Sequence, residues 1–174
     1  MVKKLIGKVL YTLIGTHLPS AHCRIRFIGK FSKWFRGLCG KMILAKCGSN
    51  VNIYPKAEFS SKVELGNNSD IGLRNRINGK VVIGDDVIMA PDVAIYTTNH
   101  NTQRIDIPIK YQGITEEKPV VIGDGTWVCS RVIILPGVTI GKDCVIAAGA
   151  VVTKDIPDYS VAAGNPAVVV KNRV

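Results

Sequence analysis

The sequence predicts a mainly β chain wound as a parallel β-helix of about five coils, behind a short basic helical arm. Three observations carry this. Aliphatic residues recur every sixth position over two long blocks. The position four residues after most anchors is small or β-branched. Aromatic residues make up only 6% of the chain, against 17 glycines and abundant Val and Ile, so the core is built from small, strand-favouring side chains. At 174 residues the chain is long enough for one domain with a short appendage.

The arm comes first. The formal net charge is +10, and residues 1–46 carry ten of the 23 Lys and Arg with no Asp or Glu. Beyond residue 46 acidic and basic residues balance, thirteen of each. The excess charge therefore belongs to the arm and points to an anionic partner: membrane lipid, nucleic acid or an acidic polymer. Leu5, Ile6, Val9, Leu10, Leu13 and Ile14 recur at helical spacing, as do Phe27, Phe31, Trp34, Phe35 and Leu38, with lysines and arginines among them. Such helices either lie on an anionic membrane surface or pack on the β-helix or a neighbouring subunit, and both readings stay open. No nucleic-acid module is legible. Lys8 interrupts the apolar stretch, so the arm is a poor signal peptide, and no run reaches the length of a membrane span.

The β-helix is expected over 47–164. Its first block places Leu65, Ile71, Ile77, Ile83, Met89 and Ile95 six apart, with a weaker continuation back through Phe59 and Ile53 to Cys47. Ser69, Val81, Val87 and Val93 take the small position. The second block runs Ile122, Val128, Ile134, Ile140, Ile146, Val152, with Thr126, Val132, Val138, Cys144 and Ala150. A period of six fits a short strand plus a tight turn, not a helix. Three hexads close a triangular coil, with Gly66-Asn67-Asn68, Gly84-Asp85-Asp86 and Gly123-Asp124-Gly125 at corners where φ turns positive. Ile95 and Ile122 are out of phase, so a loop is inserted over 96–121. Residues 165–174 form a tail.

Five cysteines, an odd number without paired spacing, argue against disulfides or a zinc site and suit a reducing cytoplasm. A metal is not expected, since His17 and His22 lie in the arm and leave only His100.

The stretches Ile122-Gly-Asp-Gly-Thr-Trp-Val, Ile134-Leu-Pro-Gly-Val-Thr-Ile-Gly, Ala148-Gly-Ala-Val-Val-Thr-Lys-Asp-Ile-Pro and Ala163-Gly-Asn-Pro-Ala resemble the hexapeptide-repeat acyltransferases. The maltose/galactoside O-acetyltransferase branch and its relatives in surface-polysaccharide synthesis are the nearest likeness. The resemblance implies a left-handed coil, against the usual crossover rule, and a homotrimer with active sites between subunits. It also implies acetyl-CoA as donor and a sugar or glycan hydroxyl as acceptor. His100, in the inserted loop, is then the general base, a task that suits an imidazole. The Ser130 amide becomes the oxyanion donor, and Trp127 packs near the acceptor. Asp70 and Asn78 match acceptor-binding positions, although Asp and Asn are exchanged relative to the similar sequence. Asn99 and Asn101 either hold the imidazole or bind sugar. Ala148, Thr153 and Lys154 match cofactor positions, with Lys171 and Arg173 adding charge for the nucleotide phosphates. Cys129 replaces a usual Gly, and no base is placed to make it a nucleophile.

The expected function is thus O-acetylation in bacterial surface polysaccharide synthesis, in the cytoplasm or at the inner face of the membrane. Alternatives are N-acetylation of an amino sugar, acetylation of a xenobiotic, and a non-enzymatic membrane-docking scaffold.

Overall fold

A computed structural model describes residues 2–173. Two helices, α1 (Val2–Leu10) and α2 (Arg26–Ile43), are joined through a π-helical turn at Tyr11–Gly15. They precede a solenoid of two- and three-residue strands. The strands at Lys46–Cys47, Glu64–Leu65, Val81–Ile83, Val120–Ile122 and Thr139–Ile140 make one parallel face. A second face climbs through Asn52–Ile53, Asp70–Ile71, Ile88–Met89, Trp127–Val128, Val145–Ile146 and Ser160–Gly164. The third contains Glu58–Phe59, Arg76–Ile77, Ala94–Ile95, Ile133–Ile134 and Val151–Val152. These make five complete coils, and a parallel bridge from Ile140 to Ile156 starts a sixth. The last strand, Ala167–Asn172, reverses and pairs antiparallel with Ser160–Gly164.

The hexad explains this construction. The second residue of each two-residue strand points inward. Ile53, Leu65, Ile71, Ile77, Ile95, Ile134, Ile140 and Ile146 are fully buried and form the core. The small slot between anchors is buried too, and where it is polar it serves the backbone. Ser69 Oγ donates to the Gly84 carbonyl at 2.7 Å and accepts from the Val87 amide at 3.0 Å. Thr126 repeats this with the Gly141 carbonyl and the Cys144 amide. Asn75, buried in the same slot, accepts from the Val93 amide at 3.0 Å. Buried polar groups persist when so satisfied.

Corners stack as well. Asn50, Asn68 and Asp86 each adopt positive φ on successive coils, and their side chains hydrogen-bond upward, Asn50 to Asn68 and Asn68 to Asp86. A second corner uses Lys56, Arg74, Asp92 and Arg131 at positive φ, with Arg74 bonded to Asp92 at 2.7 Å. Lys and Arg at these left-handed positions were not anticipated from the sequence, which marked only the Gly, Asn and Asp turns.

The arm packs on the first coils through an unexpected face. Gly7, Tyr11 and Gly15 are buried on one side, and Gly29, Ser32, Arg36, Cys39, Gly40 and Ile43 on the other. Close approach is possible because the contacts are small. A Cβ on Gly7 would lie 2.7 Å from Met42, and one on Gly40 2.6 Å from Ile53. Tyr11 donates to the Ala57 carbonyl at 2.9 Å. Fully buried Arg36 donates to the carbonyls of Ile53, Gly15, Leu18 and Pro19, which ties helix, turn and coil together.

Candidate active site

The insertion leaves the solenoid at the corner between the third and first faces and returns without disturbing it. Val82 pairs with Val121, 39 residues on rather than 18, and the ladder continues in register. The loop closes on itself as a hairpin. Lys118 N bonds to the Thr97 carbonyl, Thr115 N to that of Asn99, and Asn101 N to that of Gly113. His100 bridges Ile114 across this hairpin, and its side chain is exposed. Asn101 does not face the imidazole's surroundings freely: its amide donates to the carbonyls of Gln112 and Ile114. Its part is to hold the hairpin shut. The Asn99 backbone amide donates to the Thr115 hydroxyl oxygen, and the Asn99 side chain stays exposed.

Glu117 anchors the loop base and was missed in the sequence. It accepts from Lys62 Nζ at 2.7 Å, from the Lys80 amide at 2.8 Å and from the Thr97 hydroxyl at 3.3 Å. The Lys62 hydrogen bond, then that from the Lys80 amide, holds its carboxyl below the usual glutamate range. A lone Glu in an irregular loop gives no periodic signal that would have found it.

The candidate residues fall into two groups on different sides of the chain. One edge, between the third and first faces, carries Asn78, then the loop with Asn99 and His100, then Thr153 and Lys154 two coils higher. All five are exposed. The second face carries Asp70 and Trp127 in one outward column, separated by Ile88. Trp127 is 48% exposed. The corner that ends this face holds Ser130 and Ala148 on adjacent coils, joined by the Gly149 amide bonding to the Ser130 carbonyl at 2.9 Å. In a three-sided coil the corner between third and first faces lies opposite the second face. One chain therefore does not bring His100 together with Asp70 or Trp127.

Lys171 and Arg173 belong to neither group. They lie on the reversed last strand and just beyond it, and Arg173 donates to the Asp143 carbonyl at 2.7 Å.

Around Asp70 the arm and the first coil bring together side chains that local spacing does not reveal. Asn52 pairs with Asp70 on the rung below, and Tyr54 sits one corner further on. His22 Nδ1 lies 3.2 Å from the Tyr54 hydroxyl, and the two rings stack. Burial lifts the Asp70 carboxyl to about 6, against the pull of nearby Lys33 and His22. The Asn52 side-chain oxygen is buried without a hydrogen-bond partner, a further unspent polar group beside Asp70.

Residues 119–154 match the family described as bacterial transferase hexapeptide (six repeats). A galactoside acetyltransferase solved in complex with coenzyme A is 33% identical, with a TM-score of 0.75 over 98% of this chain and 80% of that one. A maltose O-acetyltransferase from Clostridium difficile 630 is 31% identical, with a TM-score of 0.73 over 98% and 86%. The chain belongs to the hexapeptide-repeat transferase family. Its coil takes the left hand of that family's β-helix. The galactoside O-acetyltransferase of Escherichia coli K12 is 38% identical over 75% of this chain and 65% of its own length. Matches to curated relatives are partial on their side, spanning 66%, 37% and 65% of three of them.

Within this hexapeptide-repeat chain Cys129 adjoins Ser130, but burial pushes its thiol above the ordinary value, which disfavours the thiolate. Among the described residues no group of three His, Cys, Asp or Glu is placed to hold a metal ion.

Proposed function

We propose that the chain is an acetyl-CoA-dependent O-acetyltransferase acting on a hydroxyl of a sugar or glycan, in the synthesis of a bacterial surface polysaccharide. The observation that carries this reading is His100, the one histidine of the β-helical part, fixed on a loop inserted into an otherwise regular coil of this family. Support for the donor comes from the similar galactoside acetyltransferase, which is solved with coenzyme A.

The reaction is a direct transfer. His100 takes the acceptor proton as the hydroxyl oxygen attacks the thioester carbonyl carbon. The Ser130 amide stabilises the oxyanion of the tetrahedral intermediate. The carbon–sulfur bond then breaks, and the imidazolium returns its proton to the leaving thiolate. Thr153 and Lys154 meet the nucleotide phosphates, Ala148 the pantetheine, and Lys171 adds charge.

Because the two groups of residues lie on opposite sides of the chain, the working unit is a homotrimer. The His100 edge of one copy faces the Asp70, Trp127 and Ser130 side of the next. The exposed apolar residues of the loop, Ile105, Ile109, Tyr111 and Ile114, suit such a contact. Asp70, Asn78 and Trp127 contact the acceptor there, with Asn99 beside the base.

The test is acetyl-CoA turnover, followed as free CoA, across sugars, glycan fragments and aromatic antibiotic acceptors. Saccharide-dependent release that drops by roughly 10²–10⁴-fold in His100→Ala, with CoA binding intact, is expected. Full activity in that variant refutes the mechanism, and turnover of the antibiotics alone refutes the acceptor class.

A further inference from the structure

The arm is packed the opposite way round from an ordinary surface helix. At about 100° per residue, the exposed apolar side chains of α1, namely Val2, Leu5, Ile6 and Val9, centre about 180° from buried Gly7 and Tyr11. On α2 the exposed Phe27, Phe31, Trp34 and Leu38 centre about 160° from the buried set Gly29, Ser32, Arg36, Cys39, Gly40 and Ile43. Phe27 is 80% and Trp34 61% exposed, values far from those of a packed core. The helices run antiparallel and touch, Gly7 against Met42 and Gly15 against Arg36, so they form one slab. Small residues and Arg36 glue that slab to the coil, and its large apolar residues are turned outward.

Charge decides what covers it. No acidic residue occurs before Glu58. Among the described residues none of the arm's lysines or arginines forms an ion pair with a carboxylate. Lys30, Lys33, Trp34, Leu38 and Lys41 line a groove of about 420 Å³ between α2 and the first coil, where Lys33 hydrogen-bonds the neutral Asn50 side chain. A second copy of the slab would bring the same cations face to face. A bilayer supplies acyl chains for the stripes and phosphates for the lysines at one level, with aromatic residues at the boundary. Among the described residues no helix is long and apolar enough to cross a membrane.

We infer that the α1–α2 slab is a monotopic docking surface for an anionic lipid bilayer, with Phe27, Phe31 and Trp34 entering the headgroup boundary and the Lys30–Lys41 groove taking lipid phosphates. The enzyme then works where a lipid-linked acceptor is presented, but the docking itself does not depend on acetyl transfer.

Flotation of the full chain with vesicles tests this. Phosphatidylcholine mixed with phosphatidylglycerol should carry the protein, and phosphatidylcholine alone should not. Lys30→Gln with Lys41→Gln should weaken binding roughly tenfold or more, and Phe27→Ser with Trp34→Ser should abolish it. Both pairs are exposed, so circular dichroism should stay unchanged. Light scattering is run in parallel without lipid. Absence of flotation with the anionic vesicles overturns the proposal, as does equal flotation with neutral ones. A fall in oligomeric mass in Phe27→Ser with Trp34→Ser also overturns it, since the slab would then be an interface between copies of this chain.

Discussion

Arg36→Met should loosen the arm while leaving the solenoid intact. The guanidinium is fully buried, faces no carboxylate and donates to four carbonyl oxygens. Burial lowers its pKa, so the site already disfavours the charge. Two of the acceptors, Leu18 and Pro19, are partly exposed and can turn to water. The Ile53 and Gly15 bonds are buried, and the one to Gly15 is long at 3.4 Å. Orphaning those two carbonyls costs about 3–4 kcal/mol together, at 1–3 kcal/mol for each buried polar group. Relief of the buried charge returns part of this, leaving about 2 kcal/mol of net local loss. Hydrogen exchange followed by mass spectrometry reads this directly. Amides of α1 and α2 should exchange roughly 30-fold faster, while those of the strands keep their protection. Unchanged arm protection would refute the view that Arg36 pins the arm. Equal loss across the strands would refute the separation of arm from coil.

Other perturbations follow from the same geometry. Asp70 titrates at about 6 in the folded chain against an ordinary 3.8. Stability from this group is therefore full below about pH 4 and falls as pH rises through about 6. Asp70→Asn should remove that slope, a change of about 1 kcal/mol between pH 5 and pH 8 once partial exposure is allowed for, read from urea midpoints at each pH. Glu117→Ala removes the three bonds at the loop base. Proteolysis within 96–119 should speed up and saccharide turnover fall roughly tenfold, while the melting of the coil stays unchanged; an unaltered turnover would show that the loop does not need this anchor. Because the Glu117 carboxyl is held below its ordinary range, the same loosening should appear in the native chain only in acid, below that range.

The solenoid was legible because its period is a direct record of its geometry. Ile122 through Val152 repeat every sixth residue since every sixth residue fills the same slot in the next side of the triangle. The phase break at Ile95 located the loop for the same reason. The faces of the arm were harder. Phe27, Phe31, Trp34 and Leu38 state that one side of α2 is apolar, but not that this side faces away from the coil. The packing face is written instead in Gly29, Ser32, Gly40 and a buried arginine, residues that hydropathy does not weigh. The site was legible in pieces. His100 stands out as the lone histidine of the coil, whereas the approach of His22 and Lys33 to Asp70 depends on how the arm folds back and leaves no trace in local spacing. The two-sided division of the candidate residues becomes visible only once the corners are numbered around the triangle.

The uninterrupted ladder on either side of the loop has an evolutionary meaning. Val82 and Val121 pair as neighbouring coils do elsewhere, so the framework registers nothing of how many residues were spliced between them. A corner of such a coil works as a socket. Segments of differing length and composition can be plugged in there without renegotiating the core, and on the proposed function acceptor preference would drift while the coils proposed to take the donor stay as they are. On the proposed function, exchanging 96–119 for the corresponding loop of a relative should change the acceptor while the coil keeps its fold.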